Sequence, residues 1–172
     1  MKIEKTDLAG VMKITPPTIY EDFRGSYVET YNGDLYKKFG VNVDFIQDDI
    51  SRSRKNVLRG IHGDQSTWKL VSCLQGECDA YIVNCNKKSK SFGQWEKFTL
   101  NSKKYFELLL PPKFGNSFFV KSKSAVYYYK QSRYYSGSNS QFTYNIKDPY
   151  FSIKLPNKKF IISERDKNCP FI

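Results

Sequence analysis

The sequence predicts an all-β fold, a sandwich or barrel, and three observations carry that prediction. Short runs rich in β-branched and aromatic residues recur along the chain, turn groups such as Gln75-Gly76-Glu77 and Pro111-Pro112-Lys113 separate them, and only one stretch has helical spacing. In order, the predicted strands are 26–31 (SYVETY), 43–50 (VDFIQDDI), 57–62 (VLRGIH), 68–74 (WKLVSCL) and 78–85 (CDAYIVNC), then 94–100 (QWEKFTL), 105–110 (YFELLL), 117–120 (SFFV), 125–131 (AVYYYKQ) and 141–146 (QFTYNI). The stretch 33–39 (GDLYKKF) reads as a short amphipathic helix, and the tail beyond Pro156 mixes Lys, Asn and Asp. With 172 residues and no repeat or composition break, one domain over 1–172 is expected, long enough to bury a core without staples.

Composition narrows the chemistry. The chain holds one histidine, His62, which excludes sites built on two or more imidazoles, including HExxH metalloproteases. There is no GxGxxG, no GxxxxGK[ST], no GxSxG and no EF-hand loop. Cys73, Cys78, Cys85 and Cys169 form no CxxC pair, and three of them lie in apolar runs, so buried free thiols are expected. The N-terminal MKIEKTDLAGVMKITPP lacks the apolar run of a signal peptide, and no later stretch is of membrane-spanning length; a reduced, cytoplasmic protein is the expectation. Lys and Arg number 28 against 17 Asp and Glu, a formal charge of +11. That charge fits nucleic acid, an acidic membrane surface or a nucleotide or sugar phosphate, and equally a lysine-rich surface with no anionic partner.

Alternation sorts the side chains by face. In 43–50, Val43, Phe45, Gln47 and Asp49 share one face and Asp44, Ile46, Asp48 and Ile50 the other, so polar groups occupy both. Such a strand lies at a sheet rim or lines a polar pocket. In 57–62 strict alternation sets Arg59 and His62 on opposite faces, but Gly60 lies between them, and a strand glycine often marks a bulge that re-aims its neighbours. Gly60 is therefore expected to bring Arg59 and His62 to one cavity. The segment QDDISRSRKNVLRGIH (47–62) sets Arg52, Arg54, Lys55 and Arg59 before the only imidazole. By residue type alone it fits a solvated edge strand, a phosphate site or a nucleic-acid surface.

QDDISRSRKNVLRGIH followed by WKLVSCLQGE resembles the core signature of the dTDP-4-dehydrorhamnose 3,5-epimerase family, which reads roughly QDNxSRSxxxVLRGxH and then KLVxxxxGE. DFRGSYVET at 22–30, FGQW at 92–95, PPKFGNSFFV at 111–120, YKQSRYYS at 129–136 and ISERDKNCP at 162–170 are similar, in register, to the family segments DxRGxFxE, FGQW, PPGFAHGFxV, YKxTxYY and LSEKDxxxP. The likeness covers about 20 to 170. It implies a cupin-like jelly roll with short peripheral helices, a homodimer and a nucleotide-diphosphate 4-keto-sugar substrate, with no metal or organic cofactor, no nucleic acid and no membrane. Surface polysaccharide synthesis is the implied setting.

Carried over by position, the resemblance makes His62 the base, Asp166 its partner, Tyr135 the acid on the opposite face and Lys69 the cation near the sugar's C4 oxygen. Gln47 and Arg59 match substrate-contacting positions, and Arg24 and Glu29 match residues that reach the nucleotide from the neighbouring subunit. Two departures stand out. Asn116 replaces a family histidine, so an amide that cannot carry a proton near neutral pH stands there. Asp49 replaces a common asparagine, an acceptor in place of a donor, which implies a changed hydroxyl pattern or pose. The implied reaction is epimerisation at C3, C5 or both, C3 alone being one outcome of Asn116. A 3,4-ketoisomerase, or a non-catalytic jelly roll binding carbohydrate or single-stranded nucleic acid, stays open as the alternative.

Overall fold

The computed structural model describes residues 1–17 and 19–172. Strands β1 (Lys2–Lys5) and β2 (Met12–Thr15) precede a hairpin of β3 (Ile19–Asp22) and β4 (Gly25–Val28), then helix α1 (Gly33–Lys38). There follow β5 (Gln47–Arg54), β6 (Leu58–Gly63), β7 (Lys69–Gln75), β8 (Glu77–Asn84), β9 (Trp95–Asn101), β10 (Glu107–Leu110), β11 (Phe114–Val120) and β12 (Ser124–Gln131). A 3₁₀ turn (Ser138–Ser140), β13 (Phe142–Thr143) and helix α2 (Glu164–Lys167) complete the order. Two antiparallel sheets, β1-β2-β10-β7-β12-β5 and β13-β6-β11-β8-β9, form the cupin-like jelly roll, and β3–β4 makes a separate two-stranded arm.

Three apolar clusters hold the layers. Between the sheets, Val71 and Cys73 of β7, Leu108 and Leu110 of β10 and Tyr127 of β12 meet Ala80 and Ile82 of β8, Leu100 of β9 and Phe118 of β11. Phe118 and Tyr127 stack with centroids 4.2 Å apart across that interface. Outside the five-stranded sheet, Leu58, Ile61, Tyr81, Val83 and Phe119 are covered by the C-terminal segment through Ile146, Phe151, Leu155, Phe160 and Ile162. Outside the other sheet, Leu70, Leu109 and Ile14 are covered by Tyr36 of α1 and by Val41, Val43 and Phe45.

Several sequence expectations shift. The run 43–50 is not one strand: Val43 and Phe45 pack on the α1 cluster, and the strand starts at Gln47 and runs to Arg54. Alternation was real, but its first half serves a different layer. Only Phe142–Thr143 of 141–146 forms a strand, and 26–31 contracts to Gly25–Val28. The sequence pattern does not predict β1 (KIEK) and β2 (MKIT), because four-residue segments broken by charge carry too little pattern; β1 is the sheet's edge, and antiparallel pairing of β2 with β1, Lys2 opposite Thr15, and with β10 supplies what the pattern lacks. Cys73, Cys78 and Cys85 are buried free thiols as expected, and Cys169 is free and half-buried.

The most deeply buried carboxyl among the described residues does not line the cavity described below. Glu107 on β10 is fully buried beneath α1 and accepts from the Tyr36 and Tyr105 hydroxyls, the latter at 2.8 Å. Burial pushes it up to about 7, and the two hydroxyls and the Lys130 charge only partly offset this. A carboxyl raised in the folded state binds protons there that the unfolded chain has lost, so stability falls as pH rises from 4.5 to about 7. Glu107→Gln removes that fall. Urea unfolding at pH 5 and pH 8 is expected to show the variant gaining on the wild type by about 3 kcal/mol between the two; a constant difference would contradict the assignment.

Candidate active site

The inward-facing rows that build the core turn polar at one end of the sandwich. On β7, Lys69 continues the row of Val71 and Cys73; on β12, Tyr129 and Gln131 continue the row of Ala125 and Tyr127; on β11, Asn116 continues the row of Phe118 and Val120. With Asp49 and Ser51 of β5, Arg59 and His62 of β6, and Tyr135, Gln141 and Arg165, these residues line a cavity of about 340 Å³.

A bulge brings Arg59 and His62 together. Asn116 and Phe118 of β11 pair with His62 and Arg59, so β6 carries one residue more than its partner. Gly60 has φ +103°, and a Cβ there would stand 2.5 Å from the Asn116 carbonyl oxygen and 2.7 Å from Ser117 Cα, so only glycine fits. The expected convergence of Arg59 and His62 on one cavity is what the structure has.

His62 Nε2 lies 2.6 Å from Asp166 Oδ1, and Asp166 is 2% exposed. The carboxylate comes from α2, whose cap Ser163 accepts from the Asp166 N–H, so the sequence SERD sets both the helix start and the aspartate's place. Burial by itself would raise the Asp166 carboxyl. The hydrogen bond and charge of His62 and the Gly60 N–H outweigh it and hold the carboxyl below its usual value. A carboxylate only accepts, so Nε2 donates and Nδ1 keeps the free lone pair.

Lys69 is 6% exposed, and burial pulls its ammonium below the usual lysine value, countered by Asp64 at 3.8 Å. Asn116 is buried, and its Oδ1 accepts from the buried Tyr127 hydroxyl at 3.0 Å, which leaves the Nδ2 donor for the cavity. Arg59 is held by Ser53 at 3.1 Å and Arg165 by Thr143 at 3.0 Å. Asp166 stands behind His62, and Gln47 stands behind Asp49. Arg24 and Glu29 do not reach the cavity: Arg24 pairs with Asp22 at 2.6 Å at the exposed tip of the β3–β4 arm, and Glu29 accepts from Asn32 at 2.8 Å. Ser51, Phe118, Tyr129 and Gln131 line the cavity without having been singled out; the period-two rows through Asp49 and Asn116 point to Ser51 and Phe118, while Tyr129 and Gln131 share a β12 row that holds no residue singled out from the sequence. Gln141 and Arg165 carried no such signal.

Residues 5–172 match the family model described as dTDP-4-dehydrorhamnose 3,5-epimerase. The chain belongs to that family. Its members are isomerases acting on sugar nucleotides, and so is this chain. The dTDP-4-dehydrorhamnose 3,5-epimerase of Salmonella typhimurium is 37% identical over 143 residues, 81% of this chain and 78% of the relative. A solved dTDP-6-deoxy-D-glucose-3,5-epimerase from Legionella pneumophila, in complex with dTDP-4-keto-L-rhamnose, superposes with a TM-score of 0.92 at 33% identity, covering 99% of this chain and 92% of that one. A 3'-monoepimerase from Streptomyces bikiniensis, in complex with dTDP-quinovose, superposes at 0.87 with 25% identity, covering 96% and 85%.

As the only imidazole in the chain, His62 is readable by side-chain ¹⁵N NMR without ambiguity. The neutral ring is expected to carry its proton on Nε2, and Asp166→Asn to erase that preference. A neutral ring protonated on Nδ1 in the wild type would contradict the pairing.

Proposed function

We propose that the chain epimerises a dTDP-linked 4-keto sugar at C3, C5 or both, with His62 as base, Asp166 as its orienting partner, Tyr135 as acid and Lys69 as the cation for the enolate. The observation that carries this reading is the His62–Asp166 pair opening onto the same cavity as Lys69 and Tyr135. The C4 ketone acidifies the protons on C3 and C5. His62 Nδ1 removes one, and Asp166 stabilises the imidazolium that forms. Negative charge then collects on the C4 oxygen, where a buried ammonium is worth more than in water. Tyr135 delivers a proton to the other face, which inverts the centre. Base, acid and oxyanion partner are all side chains, so the reaction needs no cofactor.

Cationic Arg59 and Arg165 at the cavity support a diphosphate-linked substrate, and the dTDP-bound relatives support thymidine as the nucleoside. Asn116 bears on regiochemistry. Fixed by Tyr127, it holds a substrate oxygen without titrating, which leaves His62 the only imidazole in the site and favours inversion at C3 alone; a 3'-monoepimerase stands among the relatives. The same reading includes a homodimer in which the β3–β4 arm, with Phe23 98% exposed and Tyr20, Tyr27 and Arg24 beside it, reaches the neighbouring subunit's site through Arg24 and Glu29.

In D₂O, His62→Ala is expected to lower deuterium incorporation at the sugar carbons by about a thousandfold. Tyr135→Phe is expected to leave exchange into recovered substrate while product formation falls, because the base can still remove and return a proton on its own face. Wild-type incorporation in His62→Ala would overturn the mechanism.

A further inference from the structure

The loop between β6 and β7 starts at Asp64 and delivers Lys69, and the chemistry above gives the Asp64 carboxylate no role. Asp64 Oδ1 accepts from the Ser66 and Thr67 N–H groups, at 2.9 and 2.6 Å, and its carbonyl accepts from the Lys113 N–H at 2.8 Å, just ahead of β11. The turn thus pins the carboxylate to the backbone and leaves Oδ2 facing Lys69 Nζ at 3.8 Å. That separation makes an ion pair too long for a hydrogen bond. It supplies charge while leaving the ammonium's donors to the cavity, which Lys69 lines and Asp64 does not.

The other groups around Lys69 oppose its charge or are already engaged. Its strand partners, Leu110 of β10 and Gln131 of β12, are neutral. Across the cavity Arg59 of β6 and Arg165 of the C-terminal segment are cations, and His62 becomes one when it takes the proton. Asp166 is paired with His62, Asp49 of β5 accepts from Gln47 and Gln131, and the phenols of Tyr129 and Tyr135 complete the titratable lining. Asp64 is the only ion-pair partner of Lys69 among the described residues. Burial pulls the Lys69 ammonium below the usual lysine value, and Asp64 is what counters it. Burial by itself would raise the Asp64 carboxyl too, but the Ser66 and Thr67 bonds and the Lys69 charge outweigh it and hold that carboxyl below its usual value. We propose that Asp64 is a positioning residue that holds Lys69 at the cavity and keeps it an ammonium while the enolate forms, as Asp166 does for the His62 imidazolium. The proposal rests on the reading of Lys69 as the enolate's cation.

Asp64→Asn removes the charge and keeps the turn, because the amide oxygen still accepts from the Ser66 and Thr67 N–H groups. The first readout is the initial rate of deuterium exchange from D₂O into a dTDP-linked 4-keto sugar as a function of pH. The wild type is expected to lose exchange at high pH as Lys69 deprotonates, and Asp64→Asn to lose it about one pH unit lower or more, with the wild-type rate below both limbs. A side chain that only held the loop would lower the rate at every pH and leave the limb in place. The second readout is the titration of Lys69 itself without substrate, followed by NMR of the lysine ¹³Cε groups, its signal being the one missing from Lys69→Met. That titration is expected to move down by a similar amount in Asp64→Asn. Asp64→Ser, whose hydroxyl caps the same kind of turn without a charge, is expected to repeat both shifts and stands in if Asp64→Asn does not fold. A limb and a Lys69 signal that both stay put in a folded neutral variant would overturn the proposal. A Lys69 signal that moves while the limb stays put would leave the pair standing and overturn Lys69 as the enolate's cation.

Discussion

A carboxylate that is almost wholly buried has to find its partners inside the protein, and Asp166 finds them in the His62 ring and the Gly60 N–H. Those groups are more than a hundred residues away in sequence, so the pair forms only if the C-terminal segment is seated on the outer face of the five-stranded sheet. Burial of Ile146, Phe151 and their neighbours does that seating, and the Ser163 cap starts α2 where the carboxylate meets β6. Removing one member of such a pair leaves the other buried without its partner, which is why the bulge at Gly60, the cap and the tail packing all bear on the same bond.

The same economy of construction governs the cavity. It is a continuation of the inter-sheet core in which the inward rows of β7, β11 and β12 exchange Val71, Phe118 and Tyr127 for Lys69, Asn116, Tyr129 and Gln131. The apolar part of each row fixes the register of the polar part, so side chains in the cavity inherit the rigidity of the core. Tyr127 belongs to both regions: its ring stacks on Phe118 and its hydroxyl holds the Asn116 amide.

How much of this was legible depended on whether a local pattern carried the information. The central strands were readable because KLVSC and CDAYIVN show their burial directly, and Gly60 could be singled out because a glycine in a strand needs a reason. The ends of the chain were not. KIEK becomes a strand only because MKIT pairs with it, and the 43–50 alternation split between two layers that no single period distinguishes. Family-pattern resemblance placed Asp166 and Tyr135, which composition and periodicity alone would have left as one acid in a polar tail and one tyrosine among many. Gln131 and Arg165 became visible only once the two sheets were brought together.

The central claim is that this cavity takes a proton from beside a ketone and returns it on the opposite face. Wild-type protein incubated in D₂O with a dTDP-linked 4-keto-6-deoxyhexose tests it directly, with NMR reading both isotope and configuration at C3 and C5. The account predicts deuterium at one or both carbons, accompanied by inversion at each carbon turned over. Inverted product that retains its original hydrogen, or a substrate that gains no deuterium in the presence of folded protein, would contradict it.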